Sequence, residues 1–346
     1  MINLLDLGKH GMMELVASEG EPPYRADQIF QWTYQKAVGS MDEMTNVSKT
    51  FRKKLMDKVR INYPEVLEKN VSSDGTEKLA LRLTDGIVIE CVMIPEDNHW
   101  TICVSSQAGC AMGCRFCHTA TMGFLRDLEV SEIVSQVLIP LRDFPERKVR
   151  NVVFMGMGEP LLNYDNVVKA INILTDPLGP GISRRRITVS TCGIIPGIAR
   201  LWDDTHVGLA LSLNAATDDK RNLIMPVNTR YPLAELKHAL MNYPLPRRSR
   251  ITLEYVLLRD INDSIDDARQ LVGLSSGLRV KVNLIPFNPW PGAPYRAPEE
   301  NSVEAFRNYL SSRRIATMLR TKRGDDIMAA CGQLAGGWMN GKTRAC

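Results

Sequence analysis

From about residue 100 onward, short apolar runs alternate with longer stretches of helical periodicity, and that rhythm restricts the fold more than any other feature of the chain. The runs fall at residues 102–105, 152–155, 187–191, 207–213, 251–258 and 280–287. Helical patterns fill the gaps at 130–141, 166–174, 232–242 and 265–274. A strand-helix-strand order folds through right-handed crossovers into a parallel sheet. Six strands are too few for a closed eight-stranded barrel. The expected fold is therefore α/β: a partial (β/α)6 TIM-like barrel with its site at the C-terminal ends of the strands. A helix at 302–313 and a strand at 316–321 are expected after it.

The N-terminal part has a different texture. Residues 1 to about 75 read as a helical accessory domain. Pro22-Pro23 marks the start of a helix that carries Ile29, Trp32 and Tyr34, and Ser48 begins a second, amphipathic helix with a basic face. A turn at 72–76 then leads into two strand-like runs, 78–83 and 87–94, around Asp85-Gly86. The expected division is 1–75 helical, 76–99 a connecting β-hairpin, and 100–346 the barrel with a C-terminal extension.

The first barrel strand is followed by Cys110-Ala-Met-Gly-Cys114-Arg-Phe-Cys117-His118, a C-x3-C-x2-C loop. An ordinary electron-transfer cluster takes four cysteines, one per iron. This loop offers three, and one iron would keep an open position. The loop resembles that of the radical S-adenosylmethionine (SAM) enzymes, in which the open iron chelates the methionine part of SAM. The alternative is a zinc site, with His118 as fourth ligand. His118 directly follows Cys117, which strains that wrap, and the apolar Phe116 suits a shielded cluster.

Other strand ends point into the same pocket. Phe154-Met-Gly-Met-Gly158-Glu159-Pro160 closes the second run. Glycine there lets backbone approach a ligand, and Glu159 is a candidate acceptor for the SAM ammonium. Ser190 ends the third run, Ser212, Leu213 and Asn214 the fourth, and Asn288 the last. These are candidates for binding SAM's ribose and carboxylate.

Two further cysteines complete the pattern. Cys331 lies in Arg323-Gly-Asp-Asp-Ile-Met-Ala-Ala-Cys331-Gly-Gln-Leu-Ala-Gly336, and Cys103 lies on the first strand. With Pro23-Tyr-Arg-Ala-Asp-Gln-Ile29, Cys103 to Cys117, Met155 to Asn163 and Asn283 to Tyr295, these segments resemble the RlmN family of dual-specificity RNA methyltransferases and its relative Cfr. The resemblance spans nearly the whole chain. It implies a helical domain on a radical SAM partial barrel, and methylation of carbon 2 of an adenosine in the peptidyl-transferase centre of 23S rRNA. It extends to an adenosine beside the tRNA anticodon. Cys110, Cys114 and Cys117 would hold a [4Fe-4S] cluster, and two SAM molecules would be used per turnover. Cys331 would carry the methyl group, Cys103 would resolve the enzyme–RNA adduct through a transient disulfide, and Glu90 would remove the ring proton. Asn214 departs from the histidine expected in its Ser-Leu-x motif. Cys91, Cys192 and Cys346 match no required role; the first two are expected as packing residues and Cys346 as a free tail thiol.

Composition supports this class without selecting it. The net charge is +4, and arginine clusters at 184–186 and 247–250 suit a polyanionic partner. Arg184 to Arg186 and the helical domain are the candidate phosphate contacts. No run approaches the length of a membrane span, and the start has no leader pattern. Eight cysteines in such a chain point to metal or redox chemistry in a reducing cytoplasm. The expected partners are 23S rRNA, tRNA and a reductant such as flavodoxin or ferredoxin, with a monomeric enzyme. Two alternatives stay open: a Cfr-like enzyme methylating carbon 8, which gives antibiotic resistance, and a non-catalytic iron–sulfur RNA-binding protein.

Overall fold

Ten strands form one open sheet whose spatial order follows the chain order. The computed structural model describes residues 1–336, and beyond them only the backbone of two paired strands, Trp338–Met339 and Lys342–Thr343. Cys346 lies outside the described residues. The sheet runs β1 (Glu65–Val71), β2 (Glu77–Arg82), β3 (Val88–Glu96), β4 (His99–Cys103), β5 (Val149–Phe154), β6 (Ile187–Thr191), β7 (Gly208–Ser212), β8 (Ile251–Leu257), β9 (Val280–Pro286) and β10 (Thr317–Leu319). From β4 to β10 every neighbouring pair is parallel. From β1 to β4 the pairs are antiparallel.

The six expected barrel strands are all present, and β10 extends the parallel set. The crossovers are α4 (Val130–Asp143), α5 (Tyr164–Thr175), α6 (Ile195–Thr205), α7 (Asp218–Ile224), α8 (Leu233–Met241), α9 (Ile265–Ser275) and α10 (Glu300–Ser312). Local chemistry fixes where they start. Ser264 Oγ, for example, accepts from Asp267 N, and Ser264 N donates to the Asp267 carboxylate in return, a reciprocal cap for α9.

The N-terminal helices α1 (Lys9–Ser18), α2 (Tyr24–Tyr34) and α3 (Lys49–Met56) share the barrel's hydrophobic core. Leu4, Leu5, Ile29 and Tyr34 are fully buried, and each such aliphatic side chain contributes roughly 1.5–3 kcal/mol. Asp6 also accepts from Ser131 N at 2.7 Å, which pins the start of the chain to α4.

Two features differ from the sequence expectation. The helical reading of residues 1–75 stops at Met56, since Glu65–Val71 is a strand. Its side chains are exposed or half-buried, so it carries no apolar alternation to read. The expected hairpin at 76–99 is not a separate connector. Through the pairing of β3 with β4 it extends the barrel sheet itself.

Candidate active site

Parallel strands gather their C-terminal ends around one cavity. Cys110, Cys114 and Cys117 line it from the loop after β4, together with Phe116. Gly158 and Glu159 reach it after β5, Ser190 on β6, Ser212 and Asn214 at β7, and Asn288 after β9. Cys331 lines the same cavity. Burial pushes the Cys110 thiol up to about 12 and raises Cys114 and Cys117 as well. Thiols in such surroundings become thiolates when a metal supplies positive charge.

The donor set suits a cluster. Among the described residues, no three His, Cys, Asp or Glu side chains converge closely enough to hold a single metal ion. The three cysteines border a cavity instead, as one-thiolate-per-iron ligation requires. His118 has other work: it stacks on Trp290 with ring centroids 4.6 Å apart, and its Nδ1 lies 3.2 Å from Gln333 O.

The SAM side of the cavity fits equally well. Glu159 is buried, and its carboxylate accepts from Cys192 N at 2.7 Å and Leu161 N at 3.1 Å. No Lys or Arg among the described residues pairs with it. Burial raises its pKa, and an ammonium ion placed beside it would restore the charged form. Asn288 Oδ1 is buried without a partner. It is an acceptor awaiting a donor, because unsatisfied buried polar atoms are costly. Ser190 Oγ and Ser212 Oγ lie 3.3 Å apart and present two hydroxyls to the same space.

Gly158 makes this approach possible. Its φ is +98°, and a Cβ there would stand 2.5 Å from the Gln107 side chain. Gly158→Ala is expected to destabilise the protein by roughly 2–4 kcal/mol, combining left-handed strain with overpacking. A denaturant melt of the purified variant checks it, and an unchanged midpoint would refute the close-approach argument.

The chain matches two family descriptions: "Ribosomal RNA large subunit methyltransferase N-terminal domain" over residues 2–61, and "Radical SAM superfamily" over residues 104–272. It is 48% identical to the dual-specificity RNA methyltransferase RlmN of Geotalea uraniireducens, across 96% of this chain and 97% of that one. The protein of the same name from Geobacter sulfurreducens is 47% identical, covering 97% and 92%. The chain belongs to the RlmN family. A radical SAM methyltransferase crystal structure from Sphaerobacter thermophilus superposes with a TM-score of 0.92 at 41% identity, covering 97% of this chain and all of that one. Radical SAM membership brings a [4Fe-4S] cluster and SAM as cofactors.

In this RlmN-family site, the Cys331 segment is held from several directions. Gly332 O accepts from His118 N at 2.7 Å, and Leu334 O accepts from Thr119 Oγ1 at 2.5 Å. Asn288 Nδ2 donates to Cys331 O at 3.3 Å. Upstream, Asp326 accepts from Ser72 Oγ at 2.5 Å, and Lys78 Nζ donates to Met328 O at 3.2 Å. Glu90 receives Ala335 N at 2.9 Å and Lys78 Nζ at 3.0 Å. Glu90 is thus buried beneath the Cys331 segment, and burial raises its pKa although Lys78 opposes the shift.

Cys103 is buried at the end of β4 and Cys331 is half-buried; both are free thiols. Burial pushes Cys103 up to about 12; the nearby Cys331 adds to this and Arg320 opposes it. Cys91 is wholly buried on β3. Cys192 is more than filler, since it borders the cavity and its backbone N–H holds Glu159.

Leu213 differs from its neighbours in where its side chain goes. Its side chain lines a separate apolar space with Leu236 and Leu240, and only its neighbours Ser212 and Asn214 border the catalytic cavity. Asn214 sits at φ +59°, a region that asparagine tolerates. Its Oδ1 accepts from Val256 N at 2.8 Å, and its Nδ2 lies 3.1 Å from Met225 Sδ. Its amide is therefore occupied in bracing the turn. Sequence reasoning also missed Arg320 and Glu254 as cavity residues. Charged types in a strand pattern usually signal the solvent face; their inward position comes from the barrel.

Among the described residues no helix is long and apolar enough to cross a membrane.

Proposed function

We propose that this chain methylates carbon 2 of an adenosine in the peptidyl-transferase centre of 23S rRNA, and an adenosine beside the tRNA anticodon. Relatives sharing nearly half its residues carry the name dual-specificity RNA methyltransferase. One observation supports the methyl-cysteine route above others: Cys331 borders the same cavity as the three loop cysteines. A methyl on its sulfur would sit where hydrogen abstraction happens.

Cys110, Cys114 and Cys117 hold the cluster, and Glu159 takes the SAM ammonium. When bound, the cluster and SAM together supply a one-electron reduction and a hydrogen-abstracting carbon radical. Cys331 presents the methyl group and becomes joined through it to the adenine. Asn288 and the His118 turn keep that sulfur in place through their bonds to Cys331 and Gly332. The odd-electron adduct gives up one electron, which would return to the redox cofactor, and Glu90 takes the ring proton, a task suited to a carboxylate whose pKa burial has raised. Cys103 then bonds to the Cys331 sulfur as the sulfur–carbon bond breaks. The electron pair leaves with the carbon, which takes up a proton, and a Cys103–Cys331 disulfide remains. An external donor of flavodoxin or ferredoxin type supplies electrons, and the enzyme acts as a cytoplasmic monomer.

The test incubates the anaerobically reconstituted, reduced protein with SAM and protein-free 23S RNA, then identifies the modified nucleoside by mass spectrometry. 2-Methyladenosine is expected. 8-Methyladenosine, or an unmodified RNA despite SAM cleavage, overturns the assignment. The base role adds a pH prediction. Single-turnover methylation should rise as pH climbs through the elevated pKa of Glu90, because only the carboxylate accepts a proton. Glu90→Gln should remove that rise and slow the reaction by about 10²–10⁴-fold; an equally steep rise in the variant assigns the base elsewhere.

A further inference from the structure

Arg221, on α7, is a wholly buried cation that no carboxylate holds. Its Nε donates to Leu213 O at 3.0 Å and its Nη1 to Asn228 Oδ1 at 2.9 Å. Its Nη2 donates to Cys192 O at 2.6 Å and Ser212 O at 3.3 Å. Every one of these acceptors is neutral. Among the described residues no Asp or Glu comes within 4.0 Å of the guanidinium. The nearby Asp218 is already engaged, accepting from Asn228 Nδ2 at 2.8 Å and Leu233 N at 2.9 Å.

An unpaired charge taken out of water costs several kcal/mol. Hydrogen bonds to carbonyls satisfy the donors, but among the described residues the nearby carboxylate of Asp218 reaches this charge only across Asn228 and makes no direct ion pair with it. The surroundings indicate where its partner belongs. Arg221 lies behind Cys192, whose backbone N–H holds Glu159 on the cavity side. The end of α7 is tied to the cysteine loop itself, with Arg115 N donating to Ile224 O at 3.0 Å. Met225, the next residue, borders the cavity beside Cys114. The guanidinium is thus held in fixed relation to the cluster ligands.

We propose that Arg221 is the built-in counter-charge of the [4Fe-4S] cluster and makes the cluster easier to reduce. The inference rests on the cluster reading of Cys110, Cys114 and Cys117. Three thiolates give the cluster negative charge, and reduction adds one electron from an external donor. A fixed cation in a dry setting favours the reduced form over the oxidised one. Arg221 exchanges neither proton nor electron in this role.

The test reconstitutes the native protein, Arg221→Gln, Arg221→Lys and Asn228→Asp anaerobically. Iron and sulfide are counted, and the reduced cluster is followed by electron paramagnetic resonance at poised potentials. Arg221→Gln should disfavour reduction by about tenfold, a shift of about 59 mV to more negative potential. Arg221→Lys keeps the charge and should stay within roughly threefold of native. Asn228→Asp is made together with Asp218→Asn, since Asn228 donates to Asp218 and two carboxylates there would share a proton; it keeps the guanidinium but sets a carboxylate directly on it, and should shift in the same direction as Arg221→Gln. A purely structural clamp predicts otherwise: lysine as harmful to iron uptake as glutamine, and no shift in any variant that loads. Native potentials in both Arg221→Gln and the Asn228→Asp double variant overturn the proposal. If Arg221→Gln takes up no iron, the double variant alone decides; if no variant loads while the native protein does, the role is structural and the proposal fails. A native protein that assembles no four-iron cluster would instead refute the cluster reading.

Discussion

Cys331→Ala is expected to abolish methyl transfer to RNA while leaving the cluster and SAM cleavage intact. Among the described residues its sulfur is the only thiol that borders the cavity from the C-terminal segment, and alanine removes the carrier without disturbing its anchors. Those anchors are backbone groups of Cys331, Gly332, Leu334 and Ala335, which alanine at one position retains. The loss should be on the order of 10⁴-fold or more, as for other covalent nucleophiles. The readout pairs methylated nucleoside with 5′-deoxyadenosine production. Methylation at even a hundredth of the native rate would mean that the methyl group reaches adenine by another route.

Cys103→Ala should fail differently, by accumulating a protein–RNA adduct. The barrier it removes is the last one, since Cys331 can still load and attack. Cys331 is near enough to Cys103 to raise the pKa of its thiol, and Arg320 opposes that rise. A gel-shifted species sensitive to both nuclease and protease is expected to approach one equivalent of enzyme. The adduct should be absent from the double variant lacking Cys331. Inactivity with no trapped RNA would remove Cys103 from the resolving role and leave the disulfide step to another thiol.

Much of the barrel was legible because its strands are apolar and its crossovers amphipathic. The run at 187–191 coincides with β6, and the cysteine loop follows β4 as expected. Strand β1 was not legible, because an exposed edge needs no apolar face. The candidate SAM residues were inferred from their shared position at strand ends. Leu213 stands between two cavity residues, but its side chain lies with Leu236 and Leu240, because β7 ends at Ser212 and the chain turns at Asn214. The buried charges were the least visible. Arg221 sits in a helix with Asp218, Asp219 and Lys220, which reads as a solvated face. Only three-dimensional closure carries it inward. Glu90 was ambiguous for the same reason, since an alternating strand does not say which of its faces will be covered.

The anchoring of the Cys331 segment joins residues about 250 positions apart, such as Gly324 to Asp74. A ribosome adds roughly 5–20 residues each second. The nascent chain therefore exposes its three loop cysteines roughly 10–40 s before Cys331 emerges. During that interval the chain has neither Cys331 nor the Ala335 N–H that donates to Glu90. The segment that closes the cavity is made well after the loop that opens it, and a fragment lacking that segment would keep the three loop cysteines beside an open face.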